Sequence, residues 1–154
     1  KRENDLDYTI FRFFNTYGPS QSNDFVMPRF MKLAMNNQPI PIYGNGDQTR
    51  SFCYIDDNVD TCLKALYEDA YVNDVLNIGN GDEISILQLA EKIIELTNSK
   101  SEIIFLPSLK EGDMTRRCPD ITKMKSLLGR DLVTIEEGVM KMINHYNTYT
   151  IQKT

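Results

Sequence analysis

The spacing of apolar residues changes period several times along this chain, and that alternation restricts the fold more than any other feature. Tyr8 to Phe14 (YTIFRFF) is β-branched and aromatic, which predicts a buried strand. It runs into Asn15-Thr16-Tyr17-Gly18-Pro19, a stretch of turn residues. Val26, Phe30, Met31 and Ala34 then recur at helical spacing. Ile40 to Tyr43 is a short strand closed by the turn Gly44-Asn45-Gly46-Asp47. Asp56 and Asp57 are N-cap residues for a helix with Val59, Cys62, Leu63, Leu66 and Tyr67 on one face. Val75 to Ile78 and Ile103 to Leu106 are further strands. Between them Ser85 and Gln88 form a capping box ahead of the stripe Ile86, Leu89, Ala90, Ile93 and Ile94. Asp120 caps a short helix through Met124 and Leu128, with Gly129 at its end. A second box, Thr134 with Glu137, opens a last helix that turns Ile135, Val139, Met142, Ile143 and Tyr146 inward. Strand and helix alternate without repeats, so the class is α/β.

Bulk composition excludes several functions. Apolar residues are 41% of the 154 and charged residues 25%, enough for a packed core. A net charge of -5 argues against a nucleic-acid binder, which needs a basic surface. It leaves room for an anionic small ligand, because a few placed arginines hold a phosphate inside an acidic protein. No apolar run approaches the roughly 20 residues of a membrane span. The opening Lys1-Arg2-Glu3-Asn4-Asp5 has no apolar stretch of the kind a secretory leader carries. Cys53, Cys62 and Cys118 are odd in number and lack CxxC spacing, which fits packing roles in a reducing cytoplasm. No metal site is expected, since His145 is the single histidine.

Two glycine pairs invite comparison with a dinucleotide loop. Gly44 and Gly46 are followed by Thr49, and Gly79 and Gly81 by Ile84, so neither completes G-x-G-x-x-G. Tyr149 and Lys153 have the spacing by which an ammonium lowers a phenol's pKa, but they fall in the last six residues and read as a coincidence. No catalytic residue is assigned. The anion candidates are Arg50, beside the Gly44 to Asp47 turn, and the basic group Lys110, Arg116 and Arg117; on spacing alone a solvated surface arginine is the better reading of Arg50, and composition does not separate a grip from a solvated loop for the second group. Tyr17, Phe25 and Tyr43 sit beside turns, where rings either stack on a base or pack the core.

Taken in order, three stretches resemble one family. They are Phe11-Arg12-Phe13-Phe14-Asn15-Thr16-Tyr17-Gly18-Pro19, the run from Ile42 through Gly44-Asn45-Gly46-Asp47-Gln48-Thr49-Arg50-Ser51 to Asp57, and Asn77-Ile78-Gly79-Asn80. Glu111-Gly112-Asp113 and Arg117-Cys118-Pro119-Asp120-Ile121 add to the match. The set is similar to the extended short-chain dehydrogenases that act on nucleotide sugars: UDP-glucose 4-epimerases, dTDP-glucose 4,6-dehydratases and UDP-glucuronate decarboxylases. The resemblance implies that residues 1–154 are the C-terminal, substrate-binding portion of such an enzyme. They would hold a late strand of a Rossmann-type sheet and a small α/β subdomain. The NAD-binding Rossmann part would lie outside this chain, which alone would be inactive. The implied reaction is NAD-dependent epimerisation or dehydration through a 4-keto sugar. Ser20, directly after Tyr-Gly-Pro where decarboxylases carry arginine, points away from that branch. The alternative is a non-catalytic module that keeps the nucleotide-sugar pocket. The resemblance further implies a homodimer, and the cysteine usage a cytoplasmic location. By motif position, Phe13 would border the nicotinamide. The nucleotide-diphosphate sugar would meet Asn15, Phe25, Val26, Pro41, Ile42, Tyr43, Arg50, Lys110, Asp113 and Arg117.

Overall fold

The computed structural model describes residues 4–108 and 116–151, with side chains through residue 148. In chain order the elements are β1 (Thr9–Phe13), β2 (Thr16–Tyr17), α1 (Val26–Met35), β3 (Ile40–Tyr43), β4 (Thr49–Ser51), β5 (Cys53–Tyr54), α2 (Ile55–Tyr67), β6 (Asp74–Ile78), β7 (Glu83–Ser85), α3 (Ile86–Leu96), β8 (Ile103–Leu106), β9 (Arg116–Arg117), α4 (Thr122–Leu128) and α5 (Ile135–Ile151). They fall into two compact units. The first holds the chain through Thr16, Ser51–Glu83 and Cys118–Val133; the second holds Tyr17–Arg50, Ile84–Arg117 and Thr134 onward.

In the first unit β1 and β6 pair in parallel, Thr9 with Asp74 through Phe13 with Ile78. Helices α2 and α4 pack with this pair around Cys53, Ala65, Leu76, Ile78, Ile121, Met124 and Leu128. Gly129 ends α4 at φ +63°, a left-handed position that favours glycine. Lys64 Nζ donates to the carbonyls of Leu127 and Leu128 at 3.1 Å each, placing a cation on the orphan acceptors of the α4 C-terminus.

Two expectations for this unit are corrected. The strand is not buried, because Ile10 is 47% and Phe13 54% exposed. Parallel strands need cover on both faces, and among the described residues β1 has β6 as its only ladder partner. Helix α2 starts at Ile55, after Tyr54, with Asp56 and Asp57 inside its first turn. Most of its apolar stripe faces outward: Val59, Leu63, Leu66 and Tyr67 are exposed, and Cys62 alone of the five packs against the core. The buried face carries Asp57, Asn58, Thr61 and Ala65. Asp57 makes that buried polar face tenable. Its carboxylate accepts from Arg130 Nη1 at 2.6 Å and from the Val133 N–H at 2.9 Å, so a buried charge is fully engaged.

The second unit is built on β3 and β8, parallel from Ile40 opposite Ile103 to Tyr43 opposite Leu106. Helix α3 packs against α1 and α5, and both α1 and α3 against β3. The interior holds Met27, Phe30, Met31, Ala34, Ile40, Ile42, Leu89, Ala90, Ile93, Val139 and Met142. Both capping boxes form as the sequence predicts. Gln88 N–H donates to Ser85 Oγ at 3.0 Å, and Ser85 N–H to Gln88 Oε1 at 3.0 Å. Thr134 and Glu137 exchange the same pair of bonds at 3.0 and 3.2 Å. Tyr146 corrects the last-helix reading, for it is 42% exposed rather than inward. Tyr17 is core, at 1% exposure, with its ring end against Gly138.

Candidate functional site

The candidate residues of the second unit cluster around one turn. Strand β3 alternates: Ile40 and Ile42 point into the core while Pro41 and Tyr43 are half-buried on the other face. The chain then reverses through Gly44 and Gly46, both left-handed at φ +71° and +81°. Gly46 has a second reason to be glycine, because a Cβ there would lie 2.9 Å from Leu87 Cβ and 3.2 Å from Ile42 Cγ2. The turn is tied down from both sides. Leu87 N–H donates to Gly46 O and Ile86 N–H to Gln48 O, each at 3.1 Å, so turn carbonyls occupy orphan donors at the start of α3. Asp47 N–H donates to Asn45 Oδ1 at 3.2 Å, and Gly44 N–H to Leu106 O at 2.9 Å.

Strand β4 leaves this turn carrying Arg50. It pairs in parallel with β9, Thr49 opposite Arg116 and Arg50 opposite Arg117. Two guanidinium side chains therefore occupy directly opposed positions on neighbouring strands. Guanidinium groups fit phosphate oxygens two at a time. Arg50 is half-buried, with Nη1 donating to Thr49 O at 2.7 Å, whereas Arg117 is exposed.

The remaining candidates are scattered by comparison. Phe25 is 58% exposed and Val26 half-buried where α1 begins. Ile42 is 1% exposed, so its side chain serves the core and only its backbone is open to a ligand. Lys110 and Asp113 lie outside the described residues, as do Lys153 and the side chain of Tyr149. Phe13 and Asn15 belong to the first unit. Phe13 lies exposed at the C-terminal end of β1. Asn15 adopts φ +39°; its Nδ2 donates to Ser51 O at 2.9 Å, and its carbonyl accepts from Cys53 N–H at 3.2 Å. That amide is engaged with the last residue of β4, and the carbonyl with the first of β5.

Cys53 and Cys62 behave as packing residues. Burial, with the Asp57 charge nearby, pushes the Cys53 thiol up to about 12, and burial also raises Cys62. Such thiols stay protonated and weakly nucleophilic at neutral pH. Among the described residues no group of acidic, histidine and cysteine side chains is placed to hold a metal ion. No helix among them is long and apolar enough to cross a membrane. A cavity of about 240 Å³ in the second unit lies against Met31, Lys32, Met142, His145 and Tyr146, and none of the candidate contact residues lines it. The residue that sequence reasoning missed is Gln48. An uncharged amide after a turn carries no periodic or charge signal, yet its Nε2 donates to Tyr43 O at 3.2 Å.

Comparison with known proteins decides the family. Residues 1–79, about half of the chain, match the NAD dependent epimerase/dehydratase family. The chain belongs to that family. It is 36% identical over 151 residues to the UDP-N-acetyl-alpha-D-glucosaminuronate decarboxylase of Bacillus cytotoxicus, covering 92% of this chain and 46% of the relative. It is also 36% identical over 148 residues to UDP-glucuronic acid decarboxylase 1 of Xenopus tropicalis, covering 94% and 34%. The chain thus spans half or less of these relatives' length. Among solved structures, UDP-glucose 4-epimerase of Thermotoga maritima with UDP-glucose superposes with a TM-score of 0.88 at 31% identity, over 97% of this chain and 48% of the other. UDP-glucuronic acid 4-epimerase of Bacillus cereus, in complex with UDP-glucuronic acid and NAD, gives 0.81 at 29%, over 92% and 45%. The architecture is accordingly that of Rossmann-type epimerase enzymes, mixed α/β with parallel strand pairs, over about half of their length. Decarboxylases stand among the relatives, so Ser20 does not separate that branch from the others.

Proposed function

We propose that this epimerase/dehydratase chain grips the diphosphate and base of a nucleotide sugar, as part of an NAD-dependent enzyme that works through a 4-keto intermediate. The observation that carries the reading is the register that sets Arg50 opposite Arg117, one turn away from Tyr43. The paired guanidiniums supply forked donors for the diphosphate, and the half-buried Pro41 and Tyr43 supply an apolar edge for the base. Phe25 and Val26 at the start of α1 would meet the ligand through their exposed surface. A grip on these non-reacting parts holds the sugar for chemistry elsewhere, which is where remote binding energy is useful. Lys110 and Asp113 are assigned to the ribose side by their motif alone.

Bound NAD would accept and return the hydride at the sugar's C4. This chain's fit to NAD is partial. Phe13 is exposed at the C-terminal end of a parallel strand, where such sheets receive their ligands. The glycines after β6 do not make a pyrophosphate loop: a Cβ on Gly79 would meet Pro119 Cγ at 2.7 Å and Phe14 Cβ at 3.1 Å, so that glycine serves packing. We assign the rest of the NAD site to the length that the relatives possess beyond this chain. The exposed stripe of α2 and the exposed residues of β1 fit the surface on which that portion packs. By itself the chain is expected not to reduce NAD with any nucleotide sugar.

The test is calorimetric titration with UDP. Arg50→Ala and Arg117→Ala should each weaken binding at least tenfold, about 1.4 kcal/mol. Unchanged affinity in both variants would remove the arginine grip.

A further inference from the structure

We infer that Gln48 is a positioning residue that fixes the spacing between the base edge and the diphosphate arginine, an inference that rests on the grip proposed above. The Gln48 side chain reaches back from the β3–β4 turn to β3, with Nε2 donating to Tyr43 O at 3.2 Å. Its own carbonyl accepts the Ile86 N–H at 3.1 Å. One residue therefore ties the end of β3, the start of β4 and the first turn of α3, two positions before Arg50. What it restrains is a segment with two left-handed glycines, Gly44 and Gly46, and glycine-rich backbone is the part of a chain with most freedom to lose.

The chemistry of the ligand makes this restraint matter. In a nucleoside diphosphate the base and the phosphates are held at a distance set by the ribose. Two contacts on one ligand reinforce each other best where their protein partners are held at a spacing the ligand can span. Otherwise the second contact must offset the cost of ordering the turn. Gln48 therefore matters for ligands that reach from Tyr43 to Arg50, and much less for an anion that touches the arginines alone. No charge or hydrogen bond from Gln48 to the ligand is required.

The experiment titrates UDP and inorganic pyrophosphate into the wild type, Gln48→Met and Arg50→Ala. Methionine keeps the length of the side chain and removes the donor; Gln48→Ser is the second variant if the first does not fold. Loss of the restraint should weaken UDP about tenfold while leaving pyrophosphate within about twofold, and Arg50→Ala should weaken both. Thermal unfolding of each variant reports any cost to the fold, which by itself does not change the ratio of the two affinities. Equal loss of both ligands in the Gln48 variant, or loss of neither, overturns the positioning role while a sensitive Arg50→Ala leaves the grip standing. Pyrophosphate that fails to bind the wild type, or an Arg50→Ala variant that binds both ligands normally, overturns the grip and the inference together.

Discussion

Gly138→Ala is the substitution whose outcome the structure constrains most tightly. Gly138 lies inside α5, its N–H donating to Thr134 O at 3.0 Å. On helix propensity alone alanine would be favoured there by about 1 kcal/mol. The structure reverses that sign. A Cβ at Gly138 would sit 2.0 Å from Tyr17 Oη, 2.7 Å from Cζ and 2.9 Å from Cε2. Unstrained carbon contacts need roughly 3.5–4.0 Å. Tyr17 is 1% exposed and its hydroxyl donates to Thr134 O at 3.4 Å, so the ring has no open side to move to. Overpacking of this kind costs about 1–3 kcal/mol, and loss of the hydrogen bond adds about 0.5–1.5 kcal/mol. After the propensity gain is subtracted, a net loss of about 0.5–3.5 kcal/mol remains, centred near 2. In urea unfolding followed by circular dichroism the midpoint should fall. In thermal unfolding a loss of 2 kcal/mol corresponds to roughly 4–8 °C for a chain of this size. The same substitution in a Tyr17→Leu background, where the ring terminus is gone, should be neutral or stabilising. An identical cost in both backgrounds, or a wild-type midpoint for the single variant, would refute the contact argument.

Asp57→Ala should destabilise by about 2–3 kcal/mol in the same assay, since it strands the Val133 N–H and one arm of Arg130; Asp57→Asn should cost less. Cys53, with its thiol held up to about 12, should resist alkylation at pH 8 in the native protein and react once urea unfolds it. Because its folded pKa is raised, its contribution is complete below the unfolded value of 9.0 and declines as pH climbs from there towards 12, a decline that Cys53→Ala should remove from the pH profile of stability. Asp74 runs the other way: hydrogen bonds from Lys123 and the Val75 N–H hold its carboxyl below the ordinary 3.8, so its contribution is present at neutral pH and lost in acid, and NMR titration of Lys123→Ala should find the carboxyl moved back up. The exposed stripe on α2 predicts concentration-dependent association in sedimentation, which Leu63→Glu with Leu66→Glu should reduce; a protein that is monomeric throughout contradicts it.

Charge and turn position single out the candidate residues in the sequence, while their role in a grip is the proposal made above. Arg50 and Arg117 were marked as anion candidates by charge and motif, and Tyr43 by its place beside a turn. Their assembly was not legible, because β9 is two residues long and its register against β4 arises from contacts more than sixty positions apart. Gln48 escaped for a related reason: its role is a hydrogen bond to a backbone carbonyl, which any residue type presents.

Helix starts and stops at Ser85, Thr134 and Gly129 followed from the sequence alone, since capping boxes and left-handed glycine ends are local chemistry. So did the α/β class, because period-two and period-3.6 patterning is set by neighbouring residues. Tertiary structure alone decided which faces meet. The apolar stripe of α2 reads as a core face by periodicity, yet the opposite face lies inward, where a carboxylate fully engaged by Arg130 and Val133 makes a buried polar face tenable. Periodicity reports that a helix has two unlike faces; which one is buried depends on partners that lie far along the chain.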